Sequence, residues 1–105
     1  MNEPGDSGTG GRRDGILSVE VVSPESVLYQ GEATSVVAPA YDGLIGILPR
    51  HAPMLALLGR GTLKLKTAAG EKRFTVGGGF VQVRENVVRV VAEEAAAGSV
   101  GGKGP

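Results

Sequence analysis

One histidine, three consecutive glycines and a run of alternating lysines are the parts of this chain whose residue types bear on chemistry. His51 lies in "DGLIGILPRHAPML", Asp42 to Leu55. A catalytic histidine needs a nucleophile, an orienting carboxylate or further metal ligands. The chain has no cysteine and no second histidine, and Asp42 stands nine residues away across a strand. His51 therefore reads as a residue that hydrogen-bonds backbone in a turn or lies at a contact surface. Gly77–Gly79 would cradle a phosphate if a helix came next and lent its N-terminal amides. The adjoining residues, "FVQVREN", have the pattern of a strand instead. The glycines then mark a bulge or a close backbone approach in a sheet. "GRGTLKLK" reads as a solvated strand face, and no carboxylate pair has a defined catalytic partner. This inventory implies no catalytic residue, no cofactor and no metal, and points to a protein that works by binding.

Composition narrows the partners. Eleven basic and eleven acidic residues cancel, so no broad field attracts nucleic acid or an anionic membrane. Aromatic residues make up 4% and tryptophan is absent, which argues against a base-stacking surface. No apolar run approaches the roughly 20 residues that span a bilayer. "MNEPGDSGTGGRRDG" lacks the apolar segment of a signal peptide. The expectation is a soluble protein that stays where it is made.

The elements that must position these residues follow from a period of two. "ILSVEVV" sets Leu17, Val19 and Val21 on one face, and "TLKLKT" alternates Leu63 and Leu65 with lysines. "RFTV" and "FVQVR" offer Phe74, Val76, Val81 and Val83. "NVVRVVAE" is read with Val87 and Val91 flanking Arg89. Alternation of this kind means strands with one buried face, and valine suits them. Turns are expected at "SPES", "YQGEA", "AYDG", "AAGEK" and "REN". "APMLALLGRG" has room for a turn of helix, and Glu93–Glu94 before three alanines could open another. The fold class is all-β, a sandwich or barrel with no long helix. Residues 1–15 form a flexible Gly-rich extension, 16–94 the folded domain and 95–105 a flexible tail. A core of about 80 residues is small, burying roughly 60 to 65% of its unfolded surface. Apolar residues in "LIGILPRHAPMLALL" exceed what alternation hides, which fits an interaction edge.

Three stretches carry a family resemblance: "VVSPESVLYQGEA", "DGLIGILPRHAP" and "VGGGFVQVRENVVRVVAEEA". Together they resemble the N-terminal domain of the epsilon subunit of F-type ATP synthases, over about Leu17 to Ala95. The resemblance implies a sandwich of about ten strands. It implies a non-catalytic subunit of the central stalk, which links the gamma subunit to the membrane c-ring and couples proton flow to ATP synthesis. Its place would be the cytoplasmic face of the bacterial membrane, held there through the complex and without forming a homo-oligomer. By position, Ser23, His51, Gly77 and Gln82 match residues facing gamma, and Tyr41, Asp42, Gly43 and Leu44 match the loop that touches the c-ring. The chain departs from the pattern at Leu44, commonly acidic, and at Arg50, commonly glycine. Gly77 stands for a common serine and Gln82 for a common glutamate. The resemblance also implies that most bacterial relatives continue into a helical hairpin that can inhibit ATP hydrolysis. "AAAGSVGGKGP" offers no such helix pair, so inhibition of that type is not expected, whether the end is natural or the chain shortened. Two other readings compete: an enzyme with His51 as general base, and a free-standing sandwich that binds a ligand or protein.

Overall fold

The computed structural model describes residues 15–98. Eight strands occupy them: β1 (Leu17–Val22), β2 (Val27–Ala33), β3 (Ser35–Ala40), β4 (Gly43–Ile47), β5 (Met54–Leu57), β6 (Gly61–Thr67), β7 (Gly70–Arg84) and β8 (Val87–Ala97). They pair in the order β2-β1-β8-β7-β6-β3-β4, with β5 added to β7. β1 and β8 run parallel, and the other pairs are antiparallel.

The long strands β7 and β8 turn one continuous sheet into a sandwich. In β7, Phe74 and Val76 are buried, and then Val81 and Val83. Side chains alternate along a strand, so this odd offset means that the strand has turned over. β8 does the same, burying Val88, Val90 and Ala92 and then packing Ala95 against the core. The pairing does not slip between them: Val76 stays opposite Ala95 and Val81 opposite Val90. The two-stranded ribbon therefore rolls over as a unit at Gly77–Gly79. Gly78 and Gly79 take φ of 74° and 94° there. A Cβ built on Gly79 would sit 1.9 Å from the Val91 carbonyl oxygen. Of the two sequence readings of the glycines, the close backbone approach is the one that holds.

β5 and β6 share one edge of β7, β6 before the corner and β5 after it. One layer thus contains β2, β1, the first part of β8, the last part of β7, and β5. The other contains the end of β8, the first part of β7, β6, β3 and β4. Counted by layer, the eight strands give five segments in each, which accounts for the expected ten. Leu17, Val21, Val83, Val88 and Val90 from one layer meet Val36, Ile47, Leu63 and Leu65 from the other, all 1% exposed or less. Each such side chain contributes about 1.5–3 kcal/mol through burial. Tyr29 of β2 lies 6.2 Å, centroid to centroid, from Phe74 of β7, closing the sandwich at that end.

Three expectations are corrected. "APMLALLGRG" holds no helical turn, because the free edge of β7 offers backbone partners and Met54–Leu57 takes them as β5. In β8, Val88 and Val90 face the core, while Val87 is half exposed, the reverse of the phase read from "NVVRVVAE". A run of four valines around one arginine fits either phase, and pairing with β1 selects one. Ala95–Ala97 are neither tail nor helix: they continue β8 opposite Val76, Thr75 and Phe74, beyond the expected boundary at Glu94. The N-terminal extension before residue 15 and the end after residue 98 lie outside the described residues.

Candidate docking surface

The two outer faces of the sandwich differ in chemistry. Cross-strand partners share a face. In the layer that contains β5, one outward row runs Leu57, Phe80, Val91, Val22 across β5, β7, β8 and β1. The next outward row runs Leu55, Gln82, Arg89, Glu20. Leu55 and Leu57 are 68% and 66% exposed. Arg89 Nε lies 3.2 Å from Glu20 Oε1, an exposed pair worth little by itself. A shallow groove follows Leu55, Ala56, Leu57, Phe80 and Gln82. The opposite layer presents exposed Lys64 and Lys66 with the Arg73–Glu71 pair. Arg73's hydrogen bond holds the Glu71 carboxyl below its ordinary range, aided by the nearby lysine charges. That face is charged and exposed, as the lysine alternation implies, and the exposed Leu55 and Leu57 lie on the other.

His51 closes a turn at one end of the apolar layer. Its amide donates to the Leu48 carbonyl at 3.0 Å, and Pro49 and Arg50 form the corner. Arg50 has φ 70°. Proline followed by positive φ is the type II turn, whose third position favours glycine. The Arg50 amide donates to Asn86 Oδ1 at 2.6 Å. The His51 ring lies with Nδ1 2.7 Å from the Ala52 carbonyl oxygen. A carbonyl only accepts, so Nδ1 carries a proton. A non-glycine residue in this conformation costs about 1–2 kcal/mol, partly offset by the entropy that glycine loses on folding. Arg50→Gly should therefore raise stability by about 0.5–1 kcal/mol in urea unfolding, whereas Arg50→Val should lower it. An unchanged midpoint for both variants would contradict a strained corner.

The β3–β4 hairpin turns through Tyr41 and Asp42, with Ala40 opposite Gly43. Tyr41 is 80% and Leu44 73% exposed. The Tyr41 amide donates to the Leu57 carbonyl at 2.9 Å, so the hairpin tip abuts the end of β5.

Of the residues matched by position, Gln82 lies centrally on the apolar layer. Ser23 follows Val22 at the glycine-corner end, in a small turn with Ser26. His51 lies at the other end, beside the turn that carries Asn86. Gly77 is buried at the corner, where a Cβ would meet the Arg60 guanidinium at 3.4 Å. Tyr41, Asp42, Gly43 and Leu44 stay together on the hairpin. Sequence reasoning placed Leu55 and Leu57 within the apolar edge, read Val91 in the phase of Val87 and did not single out Phe80. The available signal was the phase of "FVQVR": with Val81 and Val83 inward, Phe80 and Gln82 must face out.

An eight-stranded sandwich with one apolar outer row and one charged outer face defines a binding scaffold. Among the described residues no three histidine, cysteine or carboxylate side chains gather as a metal site. The chain belongs to the ATP synthase Delta/Epsilon chain family, whose beta-sandwich domain model matches residues 16–98. It is 44% identical over 80 residues to the ATP synthase epsilon chain of Leptospira borgpetersenii, covering 76% of this chain and 63% of that one. It is 45% identical over 87 residues to the epsilon chain of Syntrophomonas wolfei, covering 82% and 64%. The chain thus spans under two-thirds of the length of these relatives. Its fold also matches a chain in the cryo-EM structure of the Euglena gracilis mitochondrial ATP synthase. That match has a TM-score of 0.75 and 21% identity, over 92% of this chain and 62% of the other.

Proposed function

We propose that this chain is a non-catalytic subunit of the rotary proton-translocating ATP synthase, seated in the central stalk between the gamma subunit and the c-ring. The reading rests on family membership together with the outward row Leu57–Phe80–Val91–Val22, an apolar strip on the outer face of the described strands. That face takes the gamma subunit, with Gln82 in its middle and Ser23 and His51 at its ends; Gly77 shapes the corner beneath. The hairpin Tyr41–Leu44 takes the c-ring. Because Tyr41 abuts Leu57, the two contacts meet at one corner of the molecule. Such a subunit transmits torque and holds the rotor together, while nucleotide chemistry occurs on other subunits. Its position is the cytoplasmic face of the bacterial membrane, reached through the complex. Net charge is zero, so shape and apolar burial would govern docking rather than long-range steering.

Affinity purification of the chain from native membranes, read by mass spectrometry, tests the proposal. Gamma and c subunits are the expected companions, and recovery of neither would overturn it. Leu44→Glu should leave stability within about 0.5 kcal/mol, since the side chain is exposed. It should alter the fraction of the chain retained on washed membranes, because it replaces an apolar contact residue by the acidic type common at this position. Unaltered retention would remove the hairpin from the contact.

A further inference from the structure

We infer that Asn86 is a positioning residue that selects the conformation of the His51 turn and thereby shapes the end of the docking face. The inference rests on the docking role proposed for that face. Asn86 occupies the two-residue turn between β7 and β8, where Glu85 and Asn86 have φ of 51° and 64°. Two successive residues at positive φ make the type I′ hairpin, and asparagine tolerates that conformation well. Its backbone is anchored as well, because the Asn86 carbonyl accepts from the Ser18 amide of β1 at 2.8 Å. From this fixed base, Oδ1 accepts the Arg50 amide at 2.6 Å, across 36 residues of sequence.

That amide belongs to the central peptide of the Leu48–His51 turn. Type I and type II turns differ by a flip of this peptide, which reverses the direction of its N–H. Arginine at the third position favours type I, with negative φ. The observed φ of 70° is the less favoured alternative, and Asn86 Oδ1 accepts the N–H in that orientation. The flipped peptide joins Pro49 to Arg50, directly before His51. Selecting the turn type thus fixes the backbone that leads into His51.

Asn86→Gly separates the roles of this residue. Glycine keeps the positive φ of the hairpin and removes the acceptor. The Arg50 amide should then exchange about tenfold faster with solvent, with β8 core amides unchanged. The nuclear Overhauser contact from Pro49 Hα to the Arg50 amide, short in type II, should weaken. Affinity for purified gamma subunit should fall about tenfold. Asn86→Asp retains an acceptor and should keep affinity near that of the unaltered chain. Arg50→Gly added to Asn86→Gly should recover affinity, because glycine favours type II unaided. Unchanged exchange at Arg50 in Asn86→Gly would overturn the latch. Faster exchange with unchanged affinity, or no rescue by Arg50→Gly, would overturn its role in docking. If the unaltered chain fails to bind gamma, the proposed function falls and the docking half of this inference with it. The exchange measurement still judges the latch by itself.

Discussion

Gly79→Ala is expected to destabilise the domain by about 4 kcal/mol, at the severe end for a single substitution. Two effects act together. The φ of 94° is strained for any residue with a Cβ, and that Cβ would lie 1.9 Å from the Val91 carbonyl oxygen. The opposing atom is strand backbone, so relief requires β7 and β8 to separate where they cross between layers. A domain of this size has about 4–12 kcal/mol of total stability, so the variant should be substantially unfolded at modest urea. Gly46→Ala is the matched control, because no atom lies within 4 Å of a Cβ built there. It should shift stability by no more than about 0.5 kcal/mol. Equal urea midpoints for the two variants would show that the corner is not a close backbone approach.

Leu57→Asp should have the largest effect on association while sparing the fold. The side chain is 66% exposed on β5, so little core contact is lost and the poor strand propensity of aspartate costs about 1 kcal/mol at most. Its row partner is Phe80, and its carbonyl accepts the Tyr41 amide, so it stands where the two proposed contacts meet. An apolar contact residue replaced by a charge typically loses about 2 kcal/mol or more of binding, about thirtyfold in affinity. Affinity for the gamma subunit should fall by at least about that factor, and Lys64→Asp on the charged face should leave it unchanged. A reversed ranking would assign docking to the other face.

Much of the architecture was legible because a strand with one buried face must alternate. Leu17, Val19, Val21, Leu63 and Leu65 declared their orientation by polar neighbours, and all are buried. Where apolar residues adjoin one another, as in "MLAL" and "VVRVV", both phases satisfy the pattern, and only pairing with β7 and β1 selects one. The site divides in the same way. The residues of "LIGILPRHAPMLALL" marked an edge with surplus apolar side chains, but not which side chains share a surface. Leu57, Phe80, Val91 and Val22 come from four strands, and a row across a sheet has no trace along the chain.

The chain by itself thus determined an all-β domain, the inward residues of its cleanly alternating strands, glycines whose neighbours are strands and, through three motifs, a family resemblance. Those properties depend on local alternation and on residues a few positions apart. Tertiary structure alone decided that β7 and β8 roll over together at Gly77–Gly79, that the lysine face and the apolar face lie on opposite layers, and that Asn86 grips the Arg50 amide. Each of these depends on which backbone groups meet across long stretches of sequence, and a distant hydrogen bond leaves no period to read.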